Sequence, residues 1–408
     1  MNGPKAIGFT GAFGSGCTTC AEFLREYRDY TYVSLSQVIK DRWAASNPGV
    51  EPTRHNLQQL GDEIREKEGP GALVDLSLRE QAKDTNADVA IDGIRNLGEV
   101  ERLTEIFGFR FTLIAVLSSK EDRWERIGIS AYRKKGFTKV DFDDDDERDW
   151  DEEEIYGQQV RLCVDKADVL IDNSETLGEL RPKLLEYVDV VIGANSRPAT
   201  QHEIFMNIAF SASHSSKCKK RHVGAVVVDD RGQVVGVGYN ENPLGTKPCV
   251  EEPTYAYQCY RDILRNDHFK DLSNRGARCP RCGEPLPLIQ GPPWKCPACS
   301  GRGDKSNLEP FIFPDRAMSW CTAVHAEVWA VLAAGERARK GTVYTTTFPC
   351  FQCAEKLIQC EIKKIFYTEI YPDSHSGKRL ELAGVTLYQF EGVRSLSFER
   401  IFSRTRPM

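Results

Sequence analysis

The chain has 408 residues, 40% hydrophobic and 28% charged, so a sizeable core is available and wholesale disorder is excluded. At roughly 150 residues per domain, that length implies two or three domains. Fifty-four basic against 60 acidic residues leave a net charge of −6, which argues against gripping nucleic acid by bulk electrostatics. No run approaches the roughly eighteen apolar residues of a membrane span. The glycine-rich N-terminus lacks the apolar stretch of a signal peptide. A cytosolic protein is the expectation.

Residues 1–195 alternate strands and helices. Lys5–Thr10 reads as a short apolar strand ending in a glycine-rich turn, before a helix over Cys17–Tyr27. Ala87–Asp92, Phe111–Leu117 and Ala167–Ile171 read as further strands. Near-continuous apolar strands separated by helices imply a parallel sheet covered on both faces. Between Asp141 and Glu154, 11 of 14 residues are acidic, the composition of a solvated mobile loop. A lid or a partner-facing segment is the alternative.

Gly11, Gly14, Ser15, Gly16, Cys17 and Thr18 follow a strand and precede a helix, the context a P-loop requires. Backbone amides there can cradle phosphates, and Thr18 is placed to hold magnesium. Asp92 ends a strand in the manner of a Walker-B acid. The residue before Thr18 should be lysine and is Cys17, so the ammonium that bridges terminal phosphates is missing. This predicts nucleotide binding with weak or absent kinase activity, a dead scaffold being the alternative.

Residues 193–201 have linker composition, and the domain boundary is expected there, with a second domain over 202–408. That domain opens with an amphipathic helix, His202–Ser215. A hairpin follows, Gly224–Asp229 with Gln233–Tyr239 through Asp230-Arg231-Gly232. Residues from about 250 to 320 are rich in Pro, Gly and Cys and read as an insertion. A helix over Ala323–Gly335, a strand over Thr342–Thr347, a helix over Phe351–Cys360 and a strand over Lys364–Thr368 complete a sheet with packed helices.

Fourteen cysteines is a high count, and in a cytosolic chain short spacings point to metal rather than disulfides. His325-Ala326-Glu327 opens one helix, and Pro349-Cys350-Phe351-Gln352-Cys353 opens the next. One imidazole and two thiolates supply three zinc ligands, and a catalytic zinc keeps a position for water. The helix N-termini favour thiolate over thiol. Glu327, two residues past the histidine, can shuttle protons without being a ligand. A zinc site that only staples the fold would have no use for it. Cys279 and Cys282 face Cys296 and Cys299 across thirteen residues, the spacing of a closed four-sulfur structural zinc site. Cys17, Cys20, Cys163 and Cys360 read as plain buried residues.

The H-x-E…P-C-x-x-C arrangement is the signature of the zinc-dependent deaminases. Ser216 to Ala225, and Gly238-Tyr239-Asn240 followed by Pro243, Gly245 and Cys249, resemble the deoxycytidylate (dCMP) deaminases over about 202–390. The resemblance implies a cytidine-deaminase-like α/β/α domain with Asn240 on the sugar or base, Arg221 near the phosphate and Tyr371 packed on the pyrimidine. Ala326 is counted with them as a substrate contact. Glu241 stands where the family has glycine, which sets the sugar and phosphate pocket apart. Cys218 and Cys249 match cysteines that hold a further metal in some phage-type members.

The front segment resembles, over about 5–190, the nucleotide-kinase and dephospho-coenzyme A kinase branch. It does so through Ser34-Leu35-Ser36, Arg54 to Arg65, Gly69-Pro70-Gly71 and Ile91 to Asn96. The fusion is similar to the bacterial antiviral cytidine-nucleotide deaminases, which implies conversion of dCMP and dCTP to dUMP and dUTP. It also implies nucleotide depletion against phage, a nucleotide effector at the front domain and a homo-oligomer. Housekeeping dCMP deamination for thymidylate synthesis, a nucleic-acid base editor, and a nucleotide sensor with a vestigial deaminase half are the alternatives.

Overall fold

The computed structural model describes residues 3–84, 86–129, 138–150, 155–195, 197–253, 258–261, 263, 282, 284, 294–295, 298, 302–303, 321–368, 374–394 and 397–398. The chain divides into two compact units: Met1–Asn207 with Gln389–Met408, and Ile208–Tyr388.

The first unit is built on β1 (Ala6–Thr10), β2 (Thr31–Ser34), β3 (Val89–Ile94), β4 (Phe111–Leu117) and β5 (Val169–Asp172). They lie side by side in the order β5-β4-β1-β3-β2, and every one of these pairings is parallel. β1 and β4 are buried along their whole length. Continuous apolar runs therefore belong to the middle of a sheet covered on both faces, as their composition predicts. The covering helices are α1 (Cys17–Arg28), α2 (Leu35–Ser46), α3 (Arg54–Glu68), α4 (Ala72–Gln81), α5 (Leu97–Phe107), α6 (Lys120–Ile129), α7 (Lys139–Trp150), α8 (Val160–Lys166) and α9 (Leu177–Ile192). Ile7, Phe9, Leu24, Val116, Leu184 and Val188 share one core cluster.

The acidic stretch is not a solvated loop: over Lys139–Trp150 it is α7. Phe142 is 0% exposed and Asp149 is 0% exposed. Positions 142, 145, 146 and 149 follow the spacing that puts side chains on one helical face. That face is anchored by an aromatic contact and three carboxylates. Phe142 lies 5.4 Å from the Trp124 ring, while Asp145, Asp146 and Asp149 pair with arginines of the same unit. Repulsion along the acidic run is offset by those cations.

Chain from the far end completes this sheet. Gly392–Val393 adds an antiparallel edge to β5. Arg394, 1% exposed, donates from Nε to the Ala167 carbonyl at 2.8 Å, and Ser397 donates to Asp168 at 2.5 Å. The linker reading puts these residues in the second domain; pairing with β5 puts them in the first unit.

α10 (Gln201–Ser213) follows the linker, and the division between units falls within it. The second unit holds β6 (Gly224–Val228), β7 (Val234–Tyr239), β8 (Thr342–Thr345), β9 (Lys364–Tyr367) and β10 (Thr386–Gln389), in the order β10-β9-β8-β6-β7. β6 runs antiparallel to β7 and β8, while β8 and β9 are parallel. The predicted turn closes the hairpin: Asp229 Oδ1 accepts from the Arg231 and Gln233 amides, and Gly232 has φ of +80°. Helices α11 (Ala326–Ala334), α12 (Phe351–Gln359) and α13 (Ser374–Leu382) pack on this sheet. Within residues 250–320 the short pair Trp294–Lys295 and Arg302–Gly303 is seen. Cys279, Cys296, Cys299 and Tyr371 lie outside the described residues, and Cys282 is exposed. Among the described residues, no helix is long and apolar enough to cross a membrane.

Candidate functional site

In the second unit, α11 lies directly over β7. A Cβ on Gly238 would stand 2.3 Å from the Ala326 carbonyl oxygen, and one on Gly236 would stand 2.1 Å from that of Ala330. Only glycine permits this approach, which seats the start of α11 on the sheet. His325 is the N-cap of α11 and Cys350 the N-cap of α12, so two helix N-termini converge. The single donor atoms of His325, Cys350 and Cys353 lie within 4.8 Å of one another. His325 Nδ1 is 3.2 Å from Cys353 Sγ and 3.3 Å from Cys350 Sγ. One borderline nitrogen and two soft sulfurs at this separation fit zinc, the metal expected from their spacing.

Glu327 sits beside the cluster, 2% exposed, accepting from the Cys353 thiol at 3.7 Å. Burial pushes its carboxyl up to about 7, against the pull of His325. Burial lowers His325, but hydrogen bonds with Cys321 and Cys350 outweigh it and lift the imidazole to about 10. The Cys353 hydrogen bond and the imidazolium hold the Cys350 thiol well below its ordinary range. Binding of a cation by these groups therefore releases protons. Cys321 was not singled out by any motif, yet it bonds His325. Burial raises its thiol and that hydrogen bond brings it down. Its C-x3-H spacing to His325 was the available signal.

The expected substrate contacts lie around this cluster in different ways. Ala326 is fully buried at the start of α11. Asn240, 7% exposed, accepts at Oδ1 from the Val223 amide at 2.8 Å and donates from Nδ2 to the Arg221 carbonyl at 2.9 Å. Its amide therefore braces residues 221–223. Arg221 Nη1 donates to Thr347 Oγ1 at 3.2 Å, tying that loop to the segment that leads into Cys350. Cys218 and Cys249 are partly buried, and Cys249 Sγ lies 3.4 Å from Thr322 Oγ1. Neither belongs to a metal-type cluster among the described residues.

In the first unit, Gly11, Gly14, Ser15, Gly16, Cys17, Thr18 and Asp92 line one cavity of about 870 Å³ at the carboxyl ends of the strands. That is where ligands bind in open parallel sheets. Gly16 has φ of +108°, and a Cβ there would meet Asn173 Nδ2 at 2.6 Å. Asn173 in turn donates to the Ser15 carbonyl at 2.7 Å, pinning the turn. Thr18 Oγ1 donates to Asp92 Oδ2 at 2.7 Å, a pair of hard oxygens that fits magnesium. Burial and the neighbouring Asp92 push the Cys17 thiol up to about 12, so this position carries no charge of its own.

Residues 199–369 match the profile of the cytidine and deoxycytidylate deaminase zinc-binding region. The chain is 30% identical over 229 residues to a deoxycytidylate deaminase of Schizosaccharomyces pombe, covering 55% of this chain and 54% of that protein. It is 28% identical over 209 residues to the deoxycytidylate deaminase of Enterobacteria phage T4, covering 48% of this chain and 94% of that one. It is also 31% identical over 209 residues to a UPF0200/UPF0201 protein of Archaeoglobus fulgidus, covering 49% of this chain and 62% of the other. The chain thus spans less than two thirds of the length of the archaeal and fission-yeast relatives. The match to the cytidine and deoxycytidylate deaminase zinc-binding region spans the residues that bring His325, Cys350 and Cys353 together beside Glu327.

Proposed function

We propose that this chain hydrolytically deaminates deoxycytidine nucleotides, dCMP, dCTP or both, releasing ammonia and leaving the uracil nucleotide. The observation that carries the reading is a buried carboxylate beside an imidazole–dithiol cluster, Glu327 against His325, Cys350 and Cys353. Zinc held by those three ligands supplies Lewis-acid activation of water. The chain's own residues do the rest. Glu327, poised near neutrality, accepts a proton from the attacking water and returns protons to the ring nitrogen and the departing amine. Asn240 holds the 221–223 loop so that Arg221 meets the substrate phosphate, and Tyr371 packs on the pyrimidine. Cys279, Cys282, Cys296 and Cys299 hold a structural zinc.

In the same reading the front unit binds a nucleotide phosphate at Gly11 to Thr18, with magnesium at Thr18 and Asp92, and regulates the deaminase. Depletion of deoxycytidine nucleotides in antiphage defence, by a homo-oligomer, is the biological role proposed. The test is product analysis by chromatography on zinc-loaded protein given dCMP, dCTP, deoxycytidine, CMP and a cytosine-containing single strand. Uracil product from dCMP or dCTP is expected. Glu327→Ala should abolish it while stoichiometric zinc stays bound. Zinc lost along with activity would overturn the role of Glu327, and product from the strand alone would overturn the substrate class.

A further inference from the structure

The front cavity is bordered by more cationic side chains than a glycine turn needs, and they are committed in different ways. Arg65 pairs with Glu99, which is itself fixed by accepting the Arg95 and Asn96 backbone amides. Arg126 is spent on the Asn173 carbonyl at 2.5 Å and the Ser118 hydroxyl at 3.1 Å. Arg54 and Arg95 differ: both turn to Asp149 on α7, and Arg54 also pairs with Asp145 of the same helix. Arg95 Nη1 donates to Asp149 Oδ2 at 2.7 Å, Arg54 Nη2 bonds the same oxygen, and Gln58 Nε2 donates to Oδ1 at 2.6 Å. The Arg54 guanidinium also lies 3.9 Å from the centroid of the Phe13 ring, and Phe13 belongs to the glycine turn.

Arg54, Gln58 and Arg95 all line the cavity with Gly11 to Thr18. Arg95 is close enough to Asp92 for its charge to be felt. Two guanidiniums on one buried carboxylate, 0% exposed, form an anion site. Such forks match phosphate oxygens as well as they match carboxylate.

We propose that Arg54 and Arg95 are the terminal-phosphate clamp of the front cavity, supplying the cation that is missing at Cys17, and that Asp149 occupies this clamp until a nucleoside triphosphate displaces it. The proposal rests on reading the cavity as a nucleotide site and adds the residues and the order of events. α7 is then a latch: its acidic face is bound while the cavity holds no phosphate and is released when phosphate arrives. A guanidinium pair cannot serve both anions, because a second negative charge in so buried a place would go unpaired.

The test uses the full chain, with magnesium–ATP and inorganic triphosphate as probes in titration calorimetry. Both probes should bind the unaltered protein. Asp149→Asn should tighten both about tenfold, and Arg95→Gln should weaken both at least tenfold. Asp75→Asn, which loses a partner of Arg102 away from α7 and outside the cavity lining, should leave them unchanged. Equal or weaker binding by Asp149→Asn, with the unaltered protein binding, overturns the latch. A gain with ATP but none with inorganic triphosphate overturns the assignment to the terminal phosphate. No binding by either protein overturns the nucleotide reading of the cavity as well. Should Asp149→Asn fail to fold, hydrogen exchange on the unaltered protein decides. Amides over 139–150 should exchange faster with saturating magnesium–ATP, and unchanged or slower exchange overturns the proposal.

Discussion

Three cysteines touch the imidazole of His325, from positions that differ in sequence logic. Cys353 shares a donor cluster with His325 and Cys350, whereas Cys321 bonds His325 from outside that cluster. The difference predicts different outcomes for the same change. Cys353→Ser should lose, by metal analysis, the one equivalent of zinc assigned to the His325 cluster and lower the melting temperature, because a structured site no longer closes. Cys321→Ser should retain one equivalent at the His325 cluster. Zinc lost equally from both variants would make Cys321 a ligand and close the site to water. Asn240 teaches a related lesson: the Gly-Tyr-Asn motif suggests a substrate contact, yet both ends of its amide are engaged with backbone. A single buried side chain can serve a site by holding the loop that reaches it.

At the scale of elements, the cluster of His325, Cys350 and Cys353 depends on how closely α11 approaches β7. Gly236 and Gly238 are the two positions where that approach leaves no room for a Cβ. Gly238→Ala should therefore destabilise the second unit by about 1–3 kcal/mol through overpacking. It should also weaken zinc retention, since the helix carrying His325 and Glu327 must lift. Denaturant unfolding with and without added zinc checks this; unchanged stability would mean the helix shifts freely. In the first unit, the equivalent device is the turn of Gly11 to Gly16, held by Asn173 from the end of β5. α7 shows the opposite case, an element whose composition points one way and whose neighbours decide another. Its run of aspartates reads as loop until Arg54, Arg95 and Arg123 are placed opposite them.

At the scale of the whole molecule, the first unit is not one stretch of chain. Its sheet takes its last edge from Gly392–Val393, more than 200 residues after β5. Arg394 and Ser397 add buried polar contacts at Ala167 and Asp168. Arg394→Ala should therefore destabilise the first unit by about 1–3 kcal/mol, the cost of leaving a buried carbonyl without its donor. Hydrogen exchange resolved along the chain is the readout, with faster exchange expected over β4 and β5. Loss of protection confined to the second unit would contradict the assignment of residues 389–408.

What the sequence determined by itself was local. β4 has the bounds its apolar run implies, and the hairpin turn, the helix starts at Cys17 and Phe351 and the H-x-E and C-x-x-C spacings are all carried within a few residues. Helical and strand periods and zinc's preference for imidazole and thiolate act over that range, so they are legible without the fold. Tertiary structure alone decided the rest: Thr18 on Asp92 across 74 positions, Asp149 on Arg54 and Arg95, Cys321 on His325, and the return of the chain to β5. The reason is physical. A side chain's partner across a long loop is chosen by which surfaces the packed core brings together, and loop closure changes so slowly with length that spacing carries little record of it.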